Sequence, residues 1–193
     1  MATTISTTRT PAQFALPLRI LHWLMAALIL TMLFIGIAMV SSLGDYHRLL
    51  ALHRPLGILI LILALARLVT RLSTRLPPFP ATMSQSERRV ASMSERLLYT
   101  LFIAQPLVGW AMLSAGHYPI VMFGAVHLPP ILPARPELYA TLRETHTILA
   151  FLLLLAFLAH FGAVLFHTLV LRDGLLNRMV PWTEPPAKNE SSG

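Results

Sequence analysis

Residues 144–170, ETHTILAFLLLLAFLAHFGAVLFHTLV, are long and apolar enough to cross a bilayer, yet they carry three histidines, His146, His160 and His167. A membrane helix loses stability for each polar ring it withdraws from water, so intramembrane imidazoles point to function. On a helix, the step from His146 to His160 advances about 21 Å and returns to within about 40° of the same azimuth. Both rings therefore face the same way, one near each side of the membrane. His167 lies two turns past His160 on nearly the same face, at the lipid–water boundary.

The rest of the chain has the same character. Of 193 residues, 55% are hydrophobic and 12% charged, with a mean hydropathy of +0.67. That leaves too little polar surface for a soluble domain of this size. Apolar blocks at about 18–40, 54–72, 97–115 and 147–170 are each long enough to span lipid. The first is longer than the ~7–15-residue apolar core of a secretory signal, and no small-x-small cleavage site follows it, so it reads as a span. The expected fold is all-α: an integral membrane four-helix bundle occupying residues 17–181, with mobile tails at 1–16 and 182–193.

The net charge is +7. Arg67, Arg71, Arg75, Arg88, Arg89 and Arg96 lie in or beside the connection between spans two and three. Arg9 and Arg19 precede span one, and Arg172, Arg178 and Lys188 follow span four. Positive residues stay on the cytoplasmic side, so both termini and the second loop are expected to face inward. Topology accounts for the basic charge, and no nucleic-acid partner is implied. The absence of cysteine excludes disulfides, iron–sulfur ligation, thiolate catalysis and covalent haem attachment.

His22 opens span one on the inner side, and His53 opens span two on the outer side. Span four starts outside, so His146 shares the depth of His53 and His160 that of His22. Two neutral imidazoles facing each other are what a six-coordinate haem iron takes along its axis. A zinc or non-haem iron site would need three or four convergent ligands, whereas these pairs stand about 21 Å apart. Gly36, at the level of the outer pair, leaves room for a macrocycle, as do Gly57 and Gly162 beside His53 and His160. Arg19, Arg54 and Arg71 at the rims are suited to haem propionates.

The remaining features are less specific. His167 is either interfacial filler or a proton-handling, quinone-contacting group. His47, His117 and His127 read as solvated loop residues. Pro106 and Gly109 predict a kink in span three, Gly174 a helix stop. Residues 41–57 are expected to turn the chain outside, and the Pro-rich loop 116–143 to lie on the outer membrane face.

The succession RILHWL (19–24), HRPLGILILILALARL (53–68), LLYTLFIAQPLVGW (97–110), ETHTILAFLLLLAFLAH (144–160) and RDGLLNRM (172–179) resembles the bacterial cytochrome b561 family over roughly residues 16–181. The resemblance implies a multi-pass protein of the inner membrane with two noncovalent b-type haems. His22 and His160 would ligate the inner haem, His53 and His146 the outer. Some members carry further histidines leading into span three; here the region reads SMSERLLY (92–99) and offers no ligand. The family's best-understood activity implies oxidation of superoxide coupled to reduction of ubiquinone. An alternative within the same resemblance is a membrane-anchor subunit. It would pass electrons between a partner dehydrogenase or hydrogenase and the quinone pool, docking through loop 116–143. A haemless transporter or metal channel is opposed by the separation of the pairs and the lack of intramembrane carboxylates.

Overall fold

The computed structural model describes residues 13–180, apart from 81 and 123. Four long helices dominate: α1 (Leu16–Ser41), α2 (Tyr46–Ser73), α3 (Gln85–Ala115) and α4 (Pro136–Leu165), the last continued by a π-helical turn at Phe166–Leu171. Each is long and apolar enough to cross a membrane. The shortest, α1, has 26 residues and extends about 39 Å, more than the ~30 Å hydrocarbon core.

All four helices outrun the apolar blocks, for local reasons. Pro17 and Pro136 occupy the first turns of α1 and α4, where a missing N–H costs nothing. At α3, the Ser84 hydroxyl accepts from the Glu87 N–H at 3.3 Å, and the Glu87 carboxylate accepts from the Ser84 N–H at 2.7 Å. This capping box starts the helix well ahead of its apolar stretch. The expected turn at 41–57 is shorter than its composition suggested. The reversal occupies residues 42–45, and α2 runs through Pro55, so His53 stands two turns inside a helix. Likewise α3 continues through Pro106.

One element departs from the all-α expectation. Within the loop between α3 and α4, β1 (Ile120–Met122) pairs antiparallel with β2 (Val126–Leu128), Ile120 opposite Leu128 and Met122 opposite Val126. Gly124, at φ +76°, supplies the left-handed residue of the tight turn between them. The hairpin packs on α2.

Close backbone packing runs α1 on α2, α2 on α3 and α3 on α4. Met25 and Ile29 of α1 interlock with Ile60 and Ala64 of α2; Leu98 and Leu101 of α3 meet Leu153 and Ala156 of α4, and Phe102 touches both clusters. Phe34, Val69, Phe151 and Leu155 point outward and stay exposed, as a lipid-facing surface requires.

The two ends of the described chain meet at one end of the bundle. The Phe14 N–H donates to the Arg178 carbonyl (3.1 Å), and the Trp23 indole to that of Met179 (2.9 Å). Arg178 lies over the Phe14 ring and donates to the Pro78 carbonyl in the loop between α2 and α3. Of the expected tails, residues 1–12 and 182–193 lie outside the described residues. Gln13 and Phe14, at the edge of the first, are bonded to Asn177 and Arg178.

Candidate functional site

The four histidines singled out by depth come together as two pairs. The rings of His22 on α1 and His160 on α4 have centres 6.4 Å apart with planes at 66°. Those of His53 on α2 and His146 on α4 are 6.2 Å apart at 71°. A metal–imidazole bond is about 2 Å long, so two rings on opposite sides of one metal have centres about 6 Å apart. Both pairs match that spacing. Because α4 is regular from Pro136 to Leu165, the pairs are separated by about 21 Å of helix rise.

Each pair joins helices that do not pack closely on one another, α1 with α4 and α2 with α4. The tight contacts lie elsewhere in the bundle. A flat macrocycle needs that spacing between helices. Among the described residues the buried Nδ1 of His53 has no hydrogen-bond partner, which is costly for a ring with no other role. Each pair brings two imidazoles together, and among the described residues no three of His, Cys, Asp or Glu converge as a metal-holding group. Two axial nitrogens, with the other four positions supplied by a porphyrin, is the donor set that haem requires.

A β-carbon on Gly36 or Gly162 would meet nothing within 4 Å, and one on Gly57 would make only ordinary contact with Met32. Of the rim arginines, Arg19 donates to Gln13 (2.9 Å) and to the Val180 carbonyl, tying the two chain ends together. Arg71 grips both carboxylate oxygens of Glu95 at 2.5 and 2.7 Å. Arg54 donates to the Pro119 carbonyl beside the hairpin (3.3 Å).

Three residues that matter to the pairs went unassigned in the sequence. Gly109, read as a kink, faces the His146 ring: a β-carbon there would stand 3.1 Å from Cε1. Gln105, one turn earlier, donates to the His146 carbonyl (3.1 Å). Arg67, read as a topological charge, turns inward and donates to the Leu18 carbonyl (2.5 Å). A glycine and a glutamine one turn apart in an apolar helix were the available signal for the first two.

His167 sits in the π-helical turn, and its Nδ1 lies 2.5 Å from Asp173 Oδ2, both side chains mostly buried. The chain reverses at Arg172, in the left-handed region at φ +52°, which folds Asp173 back onto the ring. Gly174, the expected stop, is also left-handed but comes two residues later. The other Asp173 oxygen accepts from the Leu175 N–H (3.1 Å). π-helical turns recur at functional sites. His47, His117 and His127 are exposed, as expected. A shallow groove along α4 is lined by Tyr139, Arg143, Glu144 and Thr147, in the turns flanking His146.

Fold and site define a class: a helical membrane bundle with two imidazole pairs, each at the spacing of axial metal ligands. Comparison with known proteins gives the family. Residues 13–182 match prokaryotic cytochrome b561. The chain is 32% identical over 130 residues to the probable superoxide oxidase CybB of Yersinia pestis, covering 67% of this chain and 73% of that one. It is 28% identical over 180 residues to cytochrome b561 homolog 2 of Escherichia coli K12, covering 91% and 95% of the two chains. To cytochrome b561 homolog 1 of the same strain it is 26% identical over 174 residues, covering 83% and 93%. The chain belongs to the prokaryotic cytochrome b561 family, bacterial membrane electron-transfer proteins that carry b-type haem.

Proposed function

We propose that this chain is a two-haem cytochrome of the inner membrane, both termini cytoplasmic, that oxidises superoxide at its outer face and reduces ubiquinone at its inner face. The observation that carries the reading is the presence of two imidazole pairs, each at bis-axial spacing and each with one ring on α4, toward opposite ends of the bundle. His22 and His160 hold the inner haem; His53 and His146 hold the outer. When bound, haem supplies the one-electron redox chemistry, and the protein supplies orientation and insulation.

The stoichiometry balances: two superoxide anions each lose one electron and become two dioxygen molecules, while one ubiquinone gains two electrons and two protons. Residues of this chain suit both ends. On the outer side Arg48, Arg54, Arg135 and Arg143 outnumber Asp45, Glu137 and Glu144, a slight positive excess that attracts an anion. On the inner side Asp173 holds the Nδ1 of His167, leaving Nε2 to contact the quinone and transfer a proton. The name of the Yersinia pestis relative, a probable superoxide oxidase, supports superoxide as the donor.

The test is made on purified holoprotein without partners. A superoxide source should reduce the haem bands, and ubiquinone should reoxidise them. Reduction by a dehydrogenase or hydrogenase partner, with none by superoxide, would favour the anchor-subunit reading.

A further inference from the structure

Arg67 is the charge that the sequence misplaced. It lies inside α2, nearly two turns before the helix ends at Ser73, where an ionised side chain is costly and normally faces the bundle interior. It does so here. Its guanidinium donates to the carbonyl of buried Leu18 at 2.5 Å, one turn before His22 on α1. Its charge therefore stands beside the inner pair, His22 and His160.

Nearby groups leave that charge in force. The carboxylate close by among the described residues, Glu95, is held through both oxygens by Arg71 at 2.5 and 2.7 Å, so those two charges offset each other. Tyr99, one turn further along α3, stands beside Arg67 but is a phenol rather than a carboxylate. The outer pair has its own cation, Arg54, whose charge acts on His53.

Building on the two-haem reading, we propose that Arg67 is a tuning residue whose fixed positive charge raises the midpoint potential of the haem held by His22 and His160. The physical reason is that reducing an iron porphyrin removes one unit of positive charge from the site. A buried cation close by penalises the oxidised form more than the reduced one. The charge of Arg67 therefore favours an electron on the haem of the His22–His160 pair.

The experiment is a potentiometric titration of purified holoprotein, followed at the haem absorption bands. A His22→Ala variant, which retains the outer haem alone, identifies each component. In Arg67→Gln the inner component should move to lower potential by about tenfold in its one-electron equilibrium, about 59 mV, with the outer component in place. Arg67→Lys should stay near the parent. Glu95→Gln, which leaves Arg71 without its counterion, should move the inner component the opposite way. Unchanged potentials in an Arg67→Gln protein that retains both haems would overturn the proposal. If Arg67→Gln loses the inner haem, Glu95→Gln decides: a rise in the inner potential supports the proposal, and no shift overturns it, making Arg67 a structural tie to Leu18. A parent protein that titrates as one component with one haem per chain would instead refute the two-haem reading on which the proposal stands.

Discussion

Gly109 of α3 lies against the ring of His146 on α4 so closely that a β-carbon would stand 3.1 Å from Cε1 and 3.4 Å from Nδ1. With Gln105 bonded to the His146 backbone one turn away, α3 holds the His146 ring in place from the side. Gly109→Ala should push the ring out of line and lower occupancy of the outer haem, at an overpacking cost of about 1–3 kcal/mol. The inner haem should be retained. Haem content and the reduced-minus-oxidised spectrum report this; two normal haems in the variant would mean that His146 has room to yield.

Replacing His167 by Leu removes the only imidazole bonded to Asp173 among the described residues. Both haem spectra and fast reduction by superoxide should persist, while reoxidation by ubiquinone slows. Asp173→Asn should act in the same direction but less strongly, because the ring remains and loses only its orienting carboxylate. Parental reoxidation rates in both variants would reduce the pair to interfacial packing. A fall in haem content would show that His167 contributes to holding the inner haem.

Outer-face steering predicts a salt dependence. The Debye length shrinks from about 30 Å at 0.01 M to about 10 Å at 0.1 M, so reduction by superoxide should slow as salt rises. Neutralising Arg54 and Arg143 together should lower the on-rate and flatten that dependence, leaving the haem spectra intact. A rate indifferent to salt and to both changes would remove the arginines from the superoxide reaction.

The start of α3 offers a purely structural check. Ser84→Ala deletes the hydroxyl that accepts from the Glu87 N–H and should cost about 0.5–2 kcal/mol, seen as a lower thermal midpoint with haem content unchanged. An unchanged midpoint would mean that this helix end frays without consequence.

The spans and the histidine pairing were legible because they rest on two strong regularities. Lipid demands long apolar runs, and helix rise fixes that residues fourteen apart on α4 share a face. Depth matching of His22 with His160 and of His53 with His146 needed only those facts and the arginine distribution. Features set by polar, short-range chemistry were not legible. The Ser84–Glu87 capping box extends α3 through a stretch that looked like loop. The turn expected over 41–57 overlaps the start of span two, because composition does not show that α2 begins at Tyr46 and carries Pro55 internally. The hairpin at 120–128 is hidden among prolines in the loop between α3 and α4. Arg67 was grouped with the loop arginines because composition cannot say which way a side chain turns. Asp173 became a partner of His167 only through the left-handed residue at Arg172, which nothing in the sequence requires to be other than helical.

The central claim is two haems held by two imidazole pairs, and a pyridine haemochrome assay on purified protein tests it most directly. The account requires two noncovalent b haems per chain in the parent. His53→Ala or His146→Ala should leave the inner haem alone, and His22→Ala or His160→Ala the outer one. One haem per chain in the parent, or equal loss of both haems from every single variant of a protein that remains folded, would contradict it.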